Sequence, residues 1–283
     1  MEAGDCRILD GRALAAARAS GIARRAEAVR ARRGYAPRLL IVGFADEKGR
    51  VPYLPAKVRA AREVGIDVVA EVMGADVGTD EAVGTFREAL AADGFDGVFV
   101  QIPYPAQVDG AAFSAAIPPE LDLDVMSPAS VGRYLSGAAD DPPLTVEAAL
   151  LLLDGYGVRV DGLRGLVVGE EGDFTVMFRE ALARRGARMA PVLGPDVPEL
   201  ATRVRDAELV VVAVGRPGIV PVEWLARGAV AIDVGYYNPG GRGDIDVSGG
   251  IAHLRALAPV PGGIGPMTVS ALLERVVRFA ESR

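Results

Sequence analysis

The sequence is poor in the residues on which much enzyme chemistry depends. In 283 residues there is one cysteine, Cys6, and one histidine, His253. A single cysteine excludes an internal disulfide and a multi-cysteine metal site, and a single histidine removes most histidine triads and multi-histidine metal sites. Lysine is nearly as scarce: of 31 Lys and Arg residues only Lys48 and Lys57 are lysine. Long apolar runs are missing too, since Arg, Asp and Gly interrupt each candidate before the roughly 18 residues that span a bilayer. The opening MEAGDCRILDGR has early acidic residues and no apolar stretch, so a cytoplasmic protein without a secretory signal is expected. A net charge of −7 leaves no basic surplus for a phosphate backbone, and nucleic acid is not expected as a partner. Arginine pairs such as Arg24 with Arg25 read as the solvated face of a helix. The chemistry falls to Lys, Tyr, Asp, Glu, Ser or backbone groups, with no metal site expected.

What is present is an alternation of short apolar runs with helical stretches, in a chain long enough for two modest cores. Residues 11–33 read as one long amphipathic helix ended by Gly34. RLLIVGF (38–44), IDVVAEV (66–72) and DGVFVQI (96–102) then follow the rhythm of βαβ units with a parallel sheet. VEAALLLLDGYG (146–157) reads as a connecting helix. A second series, LRGLVVG (163–169), ARMAPVL (187–193), AELVVVAVG (207–215) and GAVAIDVG (228–235), has the pattern of a small doubly wound domain. TVSALLERVVRFAES (268–282) is a last amphipathic helix, expected to return to the first domain.

Several stretches carry candidate chemistry. Tyr53 and Lys57 are four apart in a helical pattern that opens with Pro52 and Pro55, hence on one face. They read either as ordinary helix neighbours or as an aromatic platform beside a lysine that moves protons because burial lowers its pKa. Lysine can give up its proton when desolvated and arginine cannot, which singles out Lys57 in a chain that otherwise uses arginine. Gln101 ends a strand, either facing the crevice where α/β sheets bind ligands or capping a loop. Asp122 and Asp124 would share a face if extended, one accepting hydrogen bonds from an amino-heterocycle, or both could be solvated turn residues. PVPGGIGPMT (259–268) is so rich in proline and glycine, with Thr268 at a helix start, that backbone held close to a ligand is expected. Gly215 and Gly235 fall at strand ends of the second sheet.

Taken in order, VGF…YLPAK, GVFVQIPYP, LDLDVMSP…VGR, AVGRPGIV, AIDVG and PVPGGIGPMTV resemble the bifunctional methylenetetrahydrofolate dehydrogenase/methenyltetrahydrofolate cyclohydrolase family of the bacterial FolD type, across essentially the whole chain. The resemblance implies a two-domain α/β fold: an N-terminal folate and catalytic domain (1–143 with 266–283), a Rossmann-like domain (144–265), and an open cleft between them. It implies a homodimer and a tetrahydrofolate derivative as substrate. It further implies that Tyr53 stacks on the folate, that Lys57 is the acid/base group, that Gln101 tunes it and that Asp124 grips the pterin edge. Pro261, Gly262 and Gly263 would line the folate site, with Gly169, Gly215, Arg216, Gly235 and Thr268 on the cofactor side.

The chain departs from the family pattern where an arginine and a serine would hold the 2′-phosphate of NADP. It has Glu170 and Glu171 after Gly169, and Leu193, Gly194 and Asp196 where a histidine, serine and threonine are the rule. Carboxylates repel a phosphate, so NADP is disfavoured. Three readings stay open: NAD bound through Glu170 or Asp196, a cofactor site lost with folate chemistry retained, or a weakened NADP site with both glutamates in solvent. On the folate side Val125 replaces a glycine and LTVEA (144–148) replaces a threonine, proline and glycine pattern. The expected function is a folate-dependent one-carbon enzyme acting on 5,10-methylene- or 5,10-methenyltetrahydrofolate with a degenerate NADP site. The alternatives are the full dehydrogenase/cyclohydrolase, one-carbon transfer from methylenetetrahydrofolate to an amine or hydrazine, and an inert folate-binding relative.

Overall fold

The computed structural model describes residues 6–92, 94–237 and 241–283. Glu2 and Asp5, on which the expected absence of a signal partly rests, lie outside the described residues. Along the chain run β1 (Arg7–Ile8), α1 (Gly11–Arg33), β2 (Arg38–Phe44), α2 (Leu54–Glu63), β3 (Asp67–Met73), α3 (Thr79–Ala92) and β4 (Gly97–Gln101). Helices α4 (Gly110–Ala115), α5 (Pro128–Leu135) and α6 (Leu144–Gly155) lead to β5 (Arg164–Val168), α7 (Asp173–Arg184), β6 (Arg188–Met189), α8 (Leu200–Asp206) and β7 (Leu209–Val212). The last elements are β8 (Val220–Pro221), β9 (Val230–Asp233), β10 (Ile245–Asp246), β11 (Ala256–Ala258) and α9 (Ile264–Glu281). Among the described residues no helix is long and apolar enough to cross a membrane.

The chain divides into two compact units, Ala17–Leu144 with Val269–Arg283, and Met1–Ala16 with Thr145–Thr268. In the first, three parallel strands lie in the order β3-β2-β4. The central β2, RLLIVGF, is buried along almost its whole length, as a parallel strand covered on both faces must be. Leu40, Val42, Phe86, Val98 and Phe113 form its core, with the Phe44 and Phe113 rings edge to face at 5.4 Å. The register pairs Gly43 with Gln101, which puts Gln101 at the carboxyl end of the sheet.

The second unit has a main sheet of six parallel strands in the order β1-β11-β9-β7-β5-β6, with β8 and β10 paired separately. From β5 the chain goes to β6 on one side and then to β7 on the other, the reversal that creates a ligand crevice in doubly wound sheets. The N-terminal residues sit differently from their place in the expected division. β1 pairs with β11, Leu9 enters the core of the six-stranded unit, and residues through Ala16 group with that unit. A two-residue strand added to a sheet edge leaves no periodicity to read. The later boundary falls inside α9, between Thr268 and Val269.

Candidate active site

In the three-stranded unit the chain enters α2 through Tyr53, whose φ of 65° is left-handed and whose side chain is exposed. One turn on, Lys57 is buried, with 9% of its surface exposed. Its Nζ donates to Oε1 of Gln101 at 2.7 Å. Nε2 of Gln101 donates to the Ile102 carbonyl at 2.9 Å, which sets the amide so that its oxygen faces the lysine. The Phe99 ring lies 5.2 Å from Nζ and the Tyr53 ring 5.9 Å. Burial pushes the Lys57 ammonium down to about 8, against the opposing pull of Asp124. Lys57 is thus buried rather than an exposed helix neighbour of Tyr53.

Asp122 and Asp124 do not act as a pair on one face. Asp122 is buried and its two oxygens accept from the Met126 and Ser127 backbone N–H groups at 3.1 and 2.8 Å, so it holds a turn. Asp124 accepts from the Leu144 N–H at 2.7 Å. Burial raises its carboxyl to about 6, while that hydrogen bond, Arg275 and Lys57 draw it down and Asp122 raises it further. Leu123 and Asp124 lie in a turn, so the extended geometry behind the shared-face expectation is absent. Just after them Val125 is buried with a φ of 54°, a conformation rare for a β-branched residue.

Arg275 was not foreseen. It is 1% exposed, and its Nη1 donates to the Leu123 and Pro142 carbonyls at 2.7 Å each, bracketing the Asp124 turn. Its signal was available in α9: a charge inside the stripe of Ala271, Leu272, Val276 and Ala280, all buried. A guanidinium survives there because it meets carbonyls that would otherwise be unpaired.

In the six-stranded unit Gly169 follows β5, where a side chain would lie 2.7 Å from the Ala213 carbonyl oxygen. Gly172 precedes α7, and the Thr175 hydroxyl staples the turn, accepting from the Gly172 N–H at 3.1 Å and donating to the Glu170 carbonyl at 2.8 Å. The close-packed glycine and the helix start fit a dinucleotide backbone. Glu170 and Glu171 are exposed in the same turn.

The glycines at the ends of β7 and β9 are held by two buried aspartates that the sequence reading passed over. Oδ2 of Asp244 accepts from the Val214 and Gly215 N–H groups at 2.6 and 2.9 Å. Asp233 accepts from Gly235, Asp244 and Ile245 at 3.0 to 3.1 Å. A Cβ at Gly235 would run into the Asp244 carboxyl. Burial raises Asp233 to about 7, opposed by its three hydrogen bonds, and it raises Asp244 as well. Arg216 is paired with Asp196 at 2.9 Å.

Pro261, Gly262 and Gly263 lie in this unit, after β11 and a cis Val260–Pro261 peptide. Gly262 has a φ of 109° and its carbonyl accepts from the Gly11 N–H at 2.8 Å. Gly263 packs where a side chain would lie 2.7 Å from the Pro259 oxygen. Thr268 is not at the helix start: α9 begins at Ile264, and the Thr268 hydroxyl donates to the Ile264 carbonyl at 3.2 Å.

A doubly wound unit with a glycine turn after its first long strand, and a separate parallel unit carrying a buried lysine, define the class of two-unit α/β proteins with a Rossmann-like domain. Residues 143–283 match the tetrahydrofolate dehydrogenase/cyclohydrolase NAD(P)-binding domain and residues 9–124 the catalytic domain. The chain belongs to the tetrahydrofolate dehydrogenase/cyclohydrolase family. It is 34% identical to bifunctional protein FolD 2 of Frankia alni over 97% of this chain and 96% of that one. With bifunctional protein FolD of Lactobacillus gasseri it shares 32% over 86% and 87%. The Trypanosoma brucei methylenetetrahydrofolate dehydrogenase-cyclohydrolase, solved with NADP and an inhibitor, superposes with a TM-score of 0.91 at 28% identity, covering 98% of each chain.

Proposed function

We propose that this chain interconverts 5,10-methenyl- and 10-formyltetrahydrofolate by acid/base chemistry at Lys57, and that its NADP site is degenerate. The observation that carries this is the Lys57 amine, buried, held 2.7 Å from Gln101 and lowered to about 8. At pH 7 roughly a tenth of such a group is neutral and able to take a proton, against under a thousandth for a free lysine. In the forward direction the neutral amine removes a proton from the water that adds to the methenyl carbon. Lys57 then returns that proton to N5 as the carbon–N5 bond breaks, and the proton left on the added hydroxyl passes to solvent as the oxygen becomes the carbonyl, leaving the formyl group on N10 with one proton released overall. Tyr53 offers an exposed ring for the pterin to stack on, and Asp124 a carboxyl for the amino and ring N–H edge. By the resemblance, Pro261, Gly262 and Gly263 are assigned to folate binding, and Gly169, Glu170, Glu171, Gly215, Arg216, Gly235 and Thr268 to the dinucleotide side. Lys57→Met should abolish the loss of methenyl absorbance in a purified, folded enzyme. An unchanged rate rejects the assignment.

The related proteins' bifunctional naming supports a second reading, in which hydride transfer is retained. Reduction of NAD or NADP with methylenetetrahydrofolate, followed spectroscopically, separates the two, and robust turnover with NADP rejects a degenerate site. One-carbon transfer from methylenetetrahydrofolate to an amine or hydrazine would give turnover without either dinucleotide. We further infer a cytoplasmic homodimer joined through the β3 edge, since among the described residues β3 pairs only with β2 and exposes Val69 and Val72. Light scattering should give twice the chain mass; a monomer at micromolar concentration rejects it.

A further inference from the structure

The strands of the six-stranded unit place β5 between β6 and β7. A contact between a residue that follows β6 and one that follows β7 therefore bridges the carboxyl end of β5, where the Gly169–Gly172 turn begins. Asp196 and Arg216 make that contact: Nη1 and Nη2 of Arg216 both donate to Oδ1 of Asp196 at 2.9 Å. We propose that Asp196 is a specificity determinant of this mouth, closing Arg216 into a clasp that excludes dinucleotides phosphorylated on the adenosine ribose and admits those without that phosphate. The proposal deepens the reading of the unit as a dinucleotide domain with a degenerate NADP site, and rests on it.

A guanidinium fork is the side chain best shaped to grip a phosphate. Here that fork is already engaged by a carboxylate, so the pair presents no net positive charge. Glu170 and Glu171, exposed in the turn after β5, add negative charge to the same end of the sheet. A phosphate dianion arriving there meets three carboxylates and an arginine whose donors must first be released. A ribose hydroxyl meets no such penalty, because it can donate to a carboxylate, and the fork uses Oδ1 while leaving Oδ2 outside it. The side chains are 45% and 76% exposed, so the ion pair is weak and screened by salt. The clasp yields readily to a ligand; what it does not do is become cationic.

The test is calorimetric titration of the full chain with NAD and with NADP, in wild type, Asp196→Asn and the double variant Asp196→Asn/Arg216→Gln. Circular dichroism and thermal midpoints verify that these exposed changes leave the fold intact. Asp196→Asn should bind NADP about tenfold or more tightly than wild type, with NAD changed by no more than about threefold. The gain should vanish in the double variant, because the freed guanidinium is its source, and should shrink at high salt. If NAD binds and Asp196→Asn leaves NADP binding unchanged, the clasp is overturned while the dinucleotide reading stands; if wild type binds NADP as tightly as NAD, the clasp and the degenerate NADP site are overturned together and only the dinucleotide domain remains. If no form binds either dinucleotide, the reading on which the clasp rests fails with it.

Discussion

At the carboxyl end of β4 the three-stranded unit keeps a lysine under cover, whereas at the carboxyl end of β5 the six-stranded unit leaves two glutamates in water. Both ends belong to parallel sheets, where ligand-binding groups collect. The difference lies in what surrounds the charge. Lys57, beneath the Phe99 and Tyr53 rings and against Gln101, loses hydration and becomes a group that can change protonation near neutral pH. Glu170 and Glu171 stay exposed and hydrated, and on the proposed reading their part is to discourage a phosphate through the field at that end of the sheet. Burial turns charge into chemistry; exposure leaves it as a field.

The largest effect that sharpens this contrast is expected at Lys57. Lys57→Arg keeps the charge and removes the ability to lose a proton, so its cyclohydrolase rate should fall as far as that of Lys57→Met, by roughly 10²- to 10⁴-fold. An arginine variant with near-native turnover would mean that only positive charge is needed. Next comes Arg275→Met, which strips two buried carbonyls, Leu123 and Pro142, of their donor. Urea unfolding should show a loss of about 2–4 kcal/mol. A loss near zero would show that the carbonyls find other partners.

Asp233 extends the comparison to the six-stranded unit. Its folded carboxyl, at about 7, lies above its ordinary value near 3.9, so the fold binds that proton more tightly than the unfolded chain does. That stabilisation is complete below about pH 4 and is lost as pH rises through about 7. The stability advantage of wild type over Asp233→Asn should therefore narrow by on the order of 2 kcal/mol or more between pH 4 and 8. An advantage that widened with pH would reverse the assignment. The smallest effect is at Gln101. Its Oε1 accepts from Nζ and favours the ammonium, so Gln101→Leu should move the midpoint of the pH–rate profile below 8 by up to about one unit. An upward shift would contradict the hydrogen bond's role.

Much of the frame was legible. The long first helix runs over Gly11–Arg33 as its pattern predicts, and Gly34 ends it with a φ of 81°. RLLIVGF is strand along its whole length because every residue of a central parallel strand can be apolar. ARMAPVL, by contrast, is strand only at Arg188–Met189, since Pro191 has no N–H to donate, although Leu193 regains a bridge to Val168. The division of labour between Asp122 and Asp124 was not legible, because it depends on the left-handed turn at Val125. Asp233 and Asp244 were passed over because their partners are backbone N–H groups, which carry no residue signature.

Local pattern and composition settle that this is a two-unit α/β chain, that it holds only two lysines, Lys48 and Lys57, and that the turn after Gly169 is acidic. These follow from residue type and short-range periodicity. Two matters belong to the tertiary structure: the desolvation of Lys57 against Gln101, 44 residues away, and the capture of Arg216 by Asp196, 20 residues away. Sheet register and strand order bring those partners together, and no sequence spacing encodes the dielectric or the neighbour that results.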